Sequence, residues 1–396
     1  MPSRGRVSLV PMEGAFGRLW EPVVTWVAIH IFGLSGHATT YFLTGSGDTT
    51  MGYVENYCYV VLAFAATLVW SLLDRKRANY TTLHAWFRIW IRFTLAATLL
   101  AYGFAKVFPL QMQVYMPKMV DRWGDFSPMA ALWNFMGASA PYTILSGSAE
   151  SLAGLLLLFR RTTLLGAMIS FGVMFNVAAL NYCYDVPVKL YSTNLVLMSV
   201  FIIAPDALRL TQLLLLNQPA PPANLSRPEL PRFWMRIASW IVWVVVALGY
   251  ILYQTAHESW KTYKDIYINP KHPPIYGLYE VEKFARNGQE APPLLTDTNR
   301  WHWLYFNDYG SMRAVLMNDS RKNYGANQDA AKKTIALSSG QVTNVFTYSY
   351  GDTNHLVLRG SLAGDTLEVN LHRLGPTNFL LLNRGFHWIN EYPLNR

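Results

Sequence analysis

The stretch AYGFAKVFPLQM (residues 101–112) closes an apolar run and places Lys106 close to its end. An ammonium in such a run is costly unless it reaches water or an anion. The run begins near residue 88, so as a helix it is long enough to cross a bilayer core of about 30 Å. What Lys106 faces decides how the neighbouring helices are arranged.

Six other stretches have comparable length and apolarity, at about 20–42, 55–73, 141–159, 163–183, 188–204 (with an extension toward Leu216) and 234–253. Each is expected to be helical, because irregular backbone facing lipid leaves amide groups unpaired. The composition agrees. Of 396 residues only 14% are charged and 52% are hydrophobic, which sets the chain apart from ordinary soluble domains. The expected class is a polytopic α-helical membrane bundle of about seven transmembrane helices, followed by a C-terminal all-β antiparallel domain. The basic N-terminal stretch is interrupted by Pro11 and Glu13 with no small-residue cleavage site, so the first helix is expected to be retained.

The predicted organisation is two N-terminal transmembrane helices in 1–80, a four-helix core in 81–216 and a Pro-rich cytoplasmic linker in 217–232. A seventh helix in 233–254 and an external β-rich domain in 255–396 follow. The linker NQPAPPANLSRPELP has five prolines in fifteen residues, which forbids helix and sheet alike. Ser127 followed by Pro128 signals the start of a short helix, expected to lie in the outer interface. From about residue 275 the hydrophobic period becomes two. In TLEVNLH, Leu367, Val369 and Leu371 alternate with Glu368, Asn370 and His372. Runs such as RWHWLYFN and NVFTYSY are separated by NDYG, GDTN and LAGD turns, which predicts a small barrel or sandwich.

The net charge of +9 has a bland source. Arg4, Arg6 and Arg18, Arg75 to Arg77, Arg160 and Arg161, and Arg209, Arg227, Arg232 and Arg236 flank helices on one side. Few basic residues lie on the other. Basic flanks mark the cytoplasmic side, so with seven crossings the N-terminus is expected in the cytoplasm and the C-terminal domain in the periplasm or outside the cell, with the bundle in a bacterial inner membrane; this placement reverses if the 234–253 run does not span. No basic patch with interleaved aromatics points to nucleic acid, and membrane lipid is the expected surrounding partner.

Counted from Arg92, Lys106 lies about 21 Å along its helix; Glu150, counted back from Arg160, lies about 15 Å from the same side. A lysine stem spans the difference. A carboxylate at that depth must neutralise, reach water or find a cation. Lys106 and Glu150 are therefore the candidate buried pair, against a reading in which Lys106 snorkels to headgroups and Glu150 is protonated. Gln111, Asn176, Asn181, Asp185 and Asn194, with Lys189 and Tyr191, are candidates for a polar pocket beside it; singly each reads as an ordinary interhelical hydrogen bond. Cys58 and Cys183 are the two cysteines. They rule out a disulfide scaffold or a CxxC motif, and are candidates for one disulfide at the outer face, against the reading of two free thiols. His30 and His37 lack a partner at ligand spacing, so no metal site is predicted. There is no dinucleotide turn, Walker loop, HExxH or nucleophile elbow.

AYGFAKVFPLQM, SGSAESLAGLLLLFRRTTLLGAMIS and NYCYDVPVKLYSTNLVLMSVFIIAPDALRL together resemble the DoxX family of bacterial membrane proteins. RGFHWINEYPLNR resembles the end of long members that carry an extra external domain. The resemblance covers about a third of the chain and implies a four-helix membrane core, with Lys106 and Glu150 at its polar positions. It also implies association, in some members, with quinone-linked thiosulfate oxidation or membrane redox complexes. Two functions follow. One is a redox-linked component handling a quinone or small sulfur compound, with a redox-complex protein partner. The other is a non-catalytic membrane anchor or assembly module that presents a partner- or lipid-binding β-domain.

Overall fold

A computed structural model describes residues 15–40, 46–223 and 231–395, with side chains from Trp20 onward. Arg4 and Arg6, the Arg18 side chain, and linker residues 224–230 with Arg227 lie outside the described residues. The chain divides into two compact units. The first comprises 1–112, 127–132 and 140–263; the second comprises 113–126, 133–139 and 264–396.

The first unit is helical. Helices α1 (Ala15–His30), α2 (Thr50–Leu73), α3 (Thr81–Val107), α5 (Ala140–Leu158), α6 (Thr163–Cys183) and α7 (Lys189–Ile203) occupy the six expected positions, and a long helix, Phe233–Ile268, occupies the seventh. A short helix, α4 (Pro128–Ala138), precedes α5; Ser127 Oγ accepts from the Ala130 amide at 3.2 Å, the cap its sequence signals.

Among the described residues, four helices are long and apolar enough to cross a membrane: Thr50–Leu73, Thr163–Cys183, Lys189–Leu215 and Phe233–Ile268. The seven expected spans are thus met only in part. α1 stops at His30 after 16 residues, followed by a 3-10 turn at Gly36–Thr39, so the run predicted to reach residue 42 is shorter. α3 and α5 fall short in apolarity because they carry Arg88, Arg92 and Lys106, and Glu150 with its serines and glycines. The Phe233–Ile268 helix runs well past the predicted end at 254. Only 6% of the apolar window of α2 is buried, and Val60, Leu62, Phe64, Leu68, Val69 and Leu72 are exposed around it. Such a surface suits lipid rather than water.

Small residues set the closest helix crossing. A Cβ on Gly147 of α5 would lie 2.6 Å from Gly103 O and from Lys106 Cβ, and one on Gly103 of α3 would lie 2.3 Å from Ser151 Oγ. Gly154 repeats the contact two turns on, against Leu100 and Ala96. Glycine lets the two backbones touch, and dispersion contacts then hold them. Around this crossing Leu95, Leu99, Leu100, Ala153, Leu157, Leu158, Ala167 and Ile202 form one buried cluster, which Ala247 and Ile251 of the Phe233–Ile268 helix join. α1 and α2 pack separately through Val24, Ala28, Met51, Val54 and Cys58.

The second unit is an eight-stranded antiparallel barrel. β1 (Gly277–Arg286), β3 (Trp301–Phe306), β4 (Ser311–Leu316), β5 (Arg321–Asp329), β6 (Thr334–Ser339), β7 (Val342–Tyr350), β8 (His355–Leu362) and β9 (Asp365–Leu374) pair in chain order, and β1 pairs with β9 to close it. The two-residue β2 (Gln289–Glu290) folds back on the end of β1. Alternation, reset by a register shift between Trp301 and Trp303, sends Trp301, Leu304, Phe306, Phe284, Phe346, Val369 and Leu371 inward. At eight strands side chains fill the interior. Of the aromatics of WHWLYF, Trp301 and Phe306 are core, while Trp303 and Tyr305 are half-buried. Segment 113–126, expected to be part of the membrane core, instead joins this unit: Asp121 pairs with Arg321 at 3.0 Å, Arg122 pairs with Asp319, and Tyr115 packs on Tyr305.

Gly147→Val is expected to lower the melting temperature of the detergent-solubilised protein, by overpacking worth at least about 1–3 kcal/mol. Gly172→Ala, where no atom lies within 4 Å of the added Cβ, is expected to leave it unchanged. Fluorescence-detected melts of both variants measure the difference.

Candidate functional site

Lys106 and Glu150 meet where α3 and α5 cross. Lys106 Nζ donates to Glu150 Oε1 at 2.9 Å and to Oε2 at 2.8 Å. Glu150 is 0% exposed and Lys106 is 5% exposed. The contact needs both the glycine crossing and the turn position of Lys106, three residues after Gly103. The Tyr102 ring sits 5.7 Å from the ammonium and adds a cation–π contribution. Ser151, one residue beyond Glu150, keeps its Oγ buried with no hydrogen-bond partner among the described residues.

The structure does not gather the other expected polar residues around the pair. Asn176 and Asp185 are exposed, and Asn194 is half-buried. Asn181 is buried with its Nδ2 unpaired, and Gln111 buries its Oε1 without a partner among the described residues. None of the five hydrogen-bonds to Lys106 or Glu150. Asp185 sits instead in the turn that joins α6 to α7, with φ 51°, and pairs with Lys189 at 2.8 Å. Tyr191 turns instead to Thr98 at 3.3 Å. Cys58 is buried between α1 and α2 and Cys183 is exposed at the end of α6; both thiols are free, which corrects the disulfide reading. His30 stacks on Trp26 and contacts the Trp26 carbonyl at 2.9 Å, and His37 is exposed in the following 3-10 turn.

Two acidic residues that sequence reasoning passed over do structural work. Asp48, in what reads as a plain turn, accepts from the amides of Lys189 at 2.7 Å and Leu190 at 3.0 Å, so it caps α7 from the α1–α2 connection. Gly47 N donates to Pro187 O alongside, at 2.8 Å. Asp206 accepts from Arg88 Nη2 at 3.1 Å and pairs with Arg209, tying the start of α3 to the end of α7.

A quinone headgroup presents two carbonyl oxygens and needs donors it can approach. Lys106 commits two of its three protons to Glu150, and both side chains are closed off. As arranged, these residues do not fit such a group.

A second polar cluster stands on the outer wall of the barrel. Glu282 of β1, His355 of β8 and His372 of β9 bring one ligand atom each within 4.8 Å of the others. Asp352 accepts from the amides of Asn354 and His355, at 2.7 and 2.8 Å, and its oxygens lie 2.9 and 3.0 Å from His355 Nδ1. The Asn354 amide and the imidazole hold the Asp352 carboxyl below its ordinary range. Sequence reading missed this cluster because its members lie 17 and 73 residues apart, at no ligand spacing; the isolated outward histidine in TLEVNLH was the only hint. His372 also lines a cleft of about 600 Å³ with Tyr276, Arg373, Gly375 and Asn378.

Among known proteins, the uncharacterized protein YwoB of Bacillus subtilis (strain 168) is 33% identical over 131 residues, which is 33% of this chain and 81% of YwoB. The chain belongs to the YwoB family. About two thirds of it lies outside the stretch shared with YwoB. No family model and no solved structure matches the chain.

Removing one partner of a buried pair leaves an uncompensated charge, at about 3–5 kcal/mol, while replacing both by apolar groups is often neutral. Lys106→Met and Glu150→Leu are each expected to lower the melting temperature, and the double variant is expected to recover most of the loss. A thermal double-mutant cycle in detergent measures the coupling.

Proposed function

We propose that this YwoB-family chain is a DoxX-like integral membrane protein acting as a non-catalytic anchor and assembly module. Seven helices cross a bacterial inner membrane, the Lys106–Glu150 pair keys the helical core, and the barrel is the binding part, held on the outer face. The sealing of the pair carries this reading. A proton-handling or headgroup site needs at least one open side, whereas Glu150 has no exposed surface and accepts from Lys106 through both oxygens. The pair reads as a lock rather than a site.

Two features support the orientation. Arg75 to Arg77, Arg160 and Arg161, and Arg209, Arg232 and Arg236 flank the helix ends assigned to the cytoplasm. The loop that follows α3, segment 113–126, belongs to the same compact unit as the barrel and shares ion pairs with it. Counting seven crossings from a cytoplasmic N-terminus, α3 and the last helix both exit outward.

Protease added to intact spheroplasts is expected to release the barrel while an N-terminal tag stays protected. Lipid extracts of the purified protein are expected to contain no stoichiometric quinone. Cleavage of the barrel only after lysis would overturn the topology. A bound quinone, or quinone reduction lost in a folded Lys106→Met protein, would overturn the non-catalytic reading.

A further inference from the structure

We propose that Glu282, His355 and His372 form a binding site for a divalent transition-metal cation, zinc foremost, on the outer wall of the barrel. The strand register builds the site. His355 and His372 are direct cross-strand partners on β8 and β9. Glu282 is the extra residue of a bulge in β1: the register passes from Val281 opposite Leu371 to Lys283 opposite Asn370. A bulge re-aims a side chain. Here it turns both Glu282 and Lys283 outward between the inward Val281 and Phe284, which brings the carboxylate alongside the two imidazoles.

The distances suit a cation. His355 Nε2 lies 3.2 Å from His372 Nδ1 and 3.7 Å from Glu282 Oε1. Zinc bonds of about 2.0–2.1 Å in a tetrahedron put ligand atoms roughly 3.3–3.4 Å apart. The two separations bracket that value, and Glu282 is exposed, so its side chain has room to close the longer one. Asp352 supplies the outer shell. By accepting the proton on His355 Nδ1 it fixes the tautomer that leaves a lone pair on Nε2, the carboxylate–histidine–metal arrangement of many zinc sites. Two imidazoles and one carboxylate leave at least one coordination position for water or an incoming ligand. This donor set suits zinc, and a harder cation such as magnesium takes oxygen ligands instead.

The full-length protein, purified in detergent without a polyhistidine tag and stripped with chelator, is expected to take up one zinc per chain by elemental analysis. Cobalt(II) in place of zinc is expected to give visible d–d absorption. Glu282→Gln is expected to weaken zinc at least tenfold, Asp352→Asn about 10–100-fold, and His355→Ala with His372→Ala to abolish uptake. His272, which contacts Asp308 rather than the cluster, serves as the control, and His272→Ala is expected to leave uptake unchanged. Circular dichroism of Glu282→Gln and Asp352→Asn verifies that the barrel is intact. Absence of zinc uptake by the wild-type protein, or uptake equal in the double-histidine variant, would overturn the site.

Discussion

A carboxylate that no solvent reaches must be protonated or answered by a cation, and the helical unit supplies the cation. Glu150 sits in α5 without exposed surface, and Lys106 answers it from α3 with two hydrogen bonds. The answer is only geometrically available because Gly103, Gly147, Ser151 and Gly154 let the two backbones approach to contact. The same spacing that permits the pair therefore fixes the crossing. Further along the helices, Ser170 and Ser199 meet at 2.8 Å between α6 and α7, and Arg88 reaches Asp206. Polar contacts recur wherever helices must be held in register, while the apolar side chains facing outward contribute little specificity in lipid.

The barrel solves a different problem. In water its apolar strands need a core and no open edge, and closure of β1 on β9 provides both. Its turns use the residues that their backbone demands. Asn307 accepts from the amides of Tyr309 and Ser311, with Gly310 at φ 69°, and Ala363 and Gly364 take positive φ between β8 and β9. Arg300 is buried too, at 2% exposed, and donates to the carbonyls of Ala291 and Trp301 at the barrel end.

Period and apolarity made most of this legible before any coordinates. The change from helical runs to period two near residue 275 located the barrel, and Gly277 begins its first strand. Depth counting along α3 and α5 paired Lys106 with Glu150, because an intramembrane charge has few ways to be satisfied. What escaped was whatever depends on distant chain segments meeting. Asp48 caps a helix more than 140 residues away, and Asp121 meets a strand 200 residues on. Neither residue has a local signature, since a capping aspartate in a loop looks like any turn aspartate. The expected polar pocket failed for the converse reason. Asn176, Asp185 and Asn194 lie near one another in sequence depth, but helix rotation decides which face each presents, and period alone did not fix that rotation.

The filled interior of the barrel constrains where that unit can do anything chemical. Trp301, Phe306, Phe346 and Leu371 occupy the lumen. Recognition is left to the outer wall, where an antiparallel strand offers alternate residues at fixed spacing. A strict alternation would place Glu280 rather than Glu282 beside His372, since Glu280 is its register partner. The bulge after Val281 adds a second outward residue, and it is this irregularity that sets a carboxylate beside two imidazoles already aligned by β8 and β9. A departure from ideal strand geometry thus sits where three ligand atoms converge, which is where a small closed barrel has room for a function that its core cannot hold.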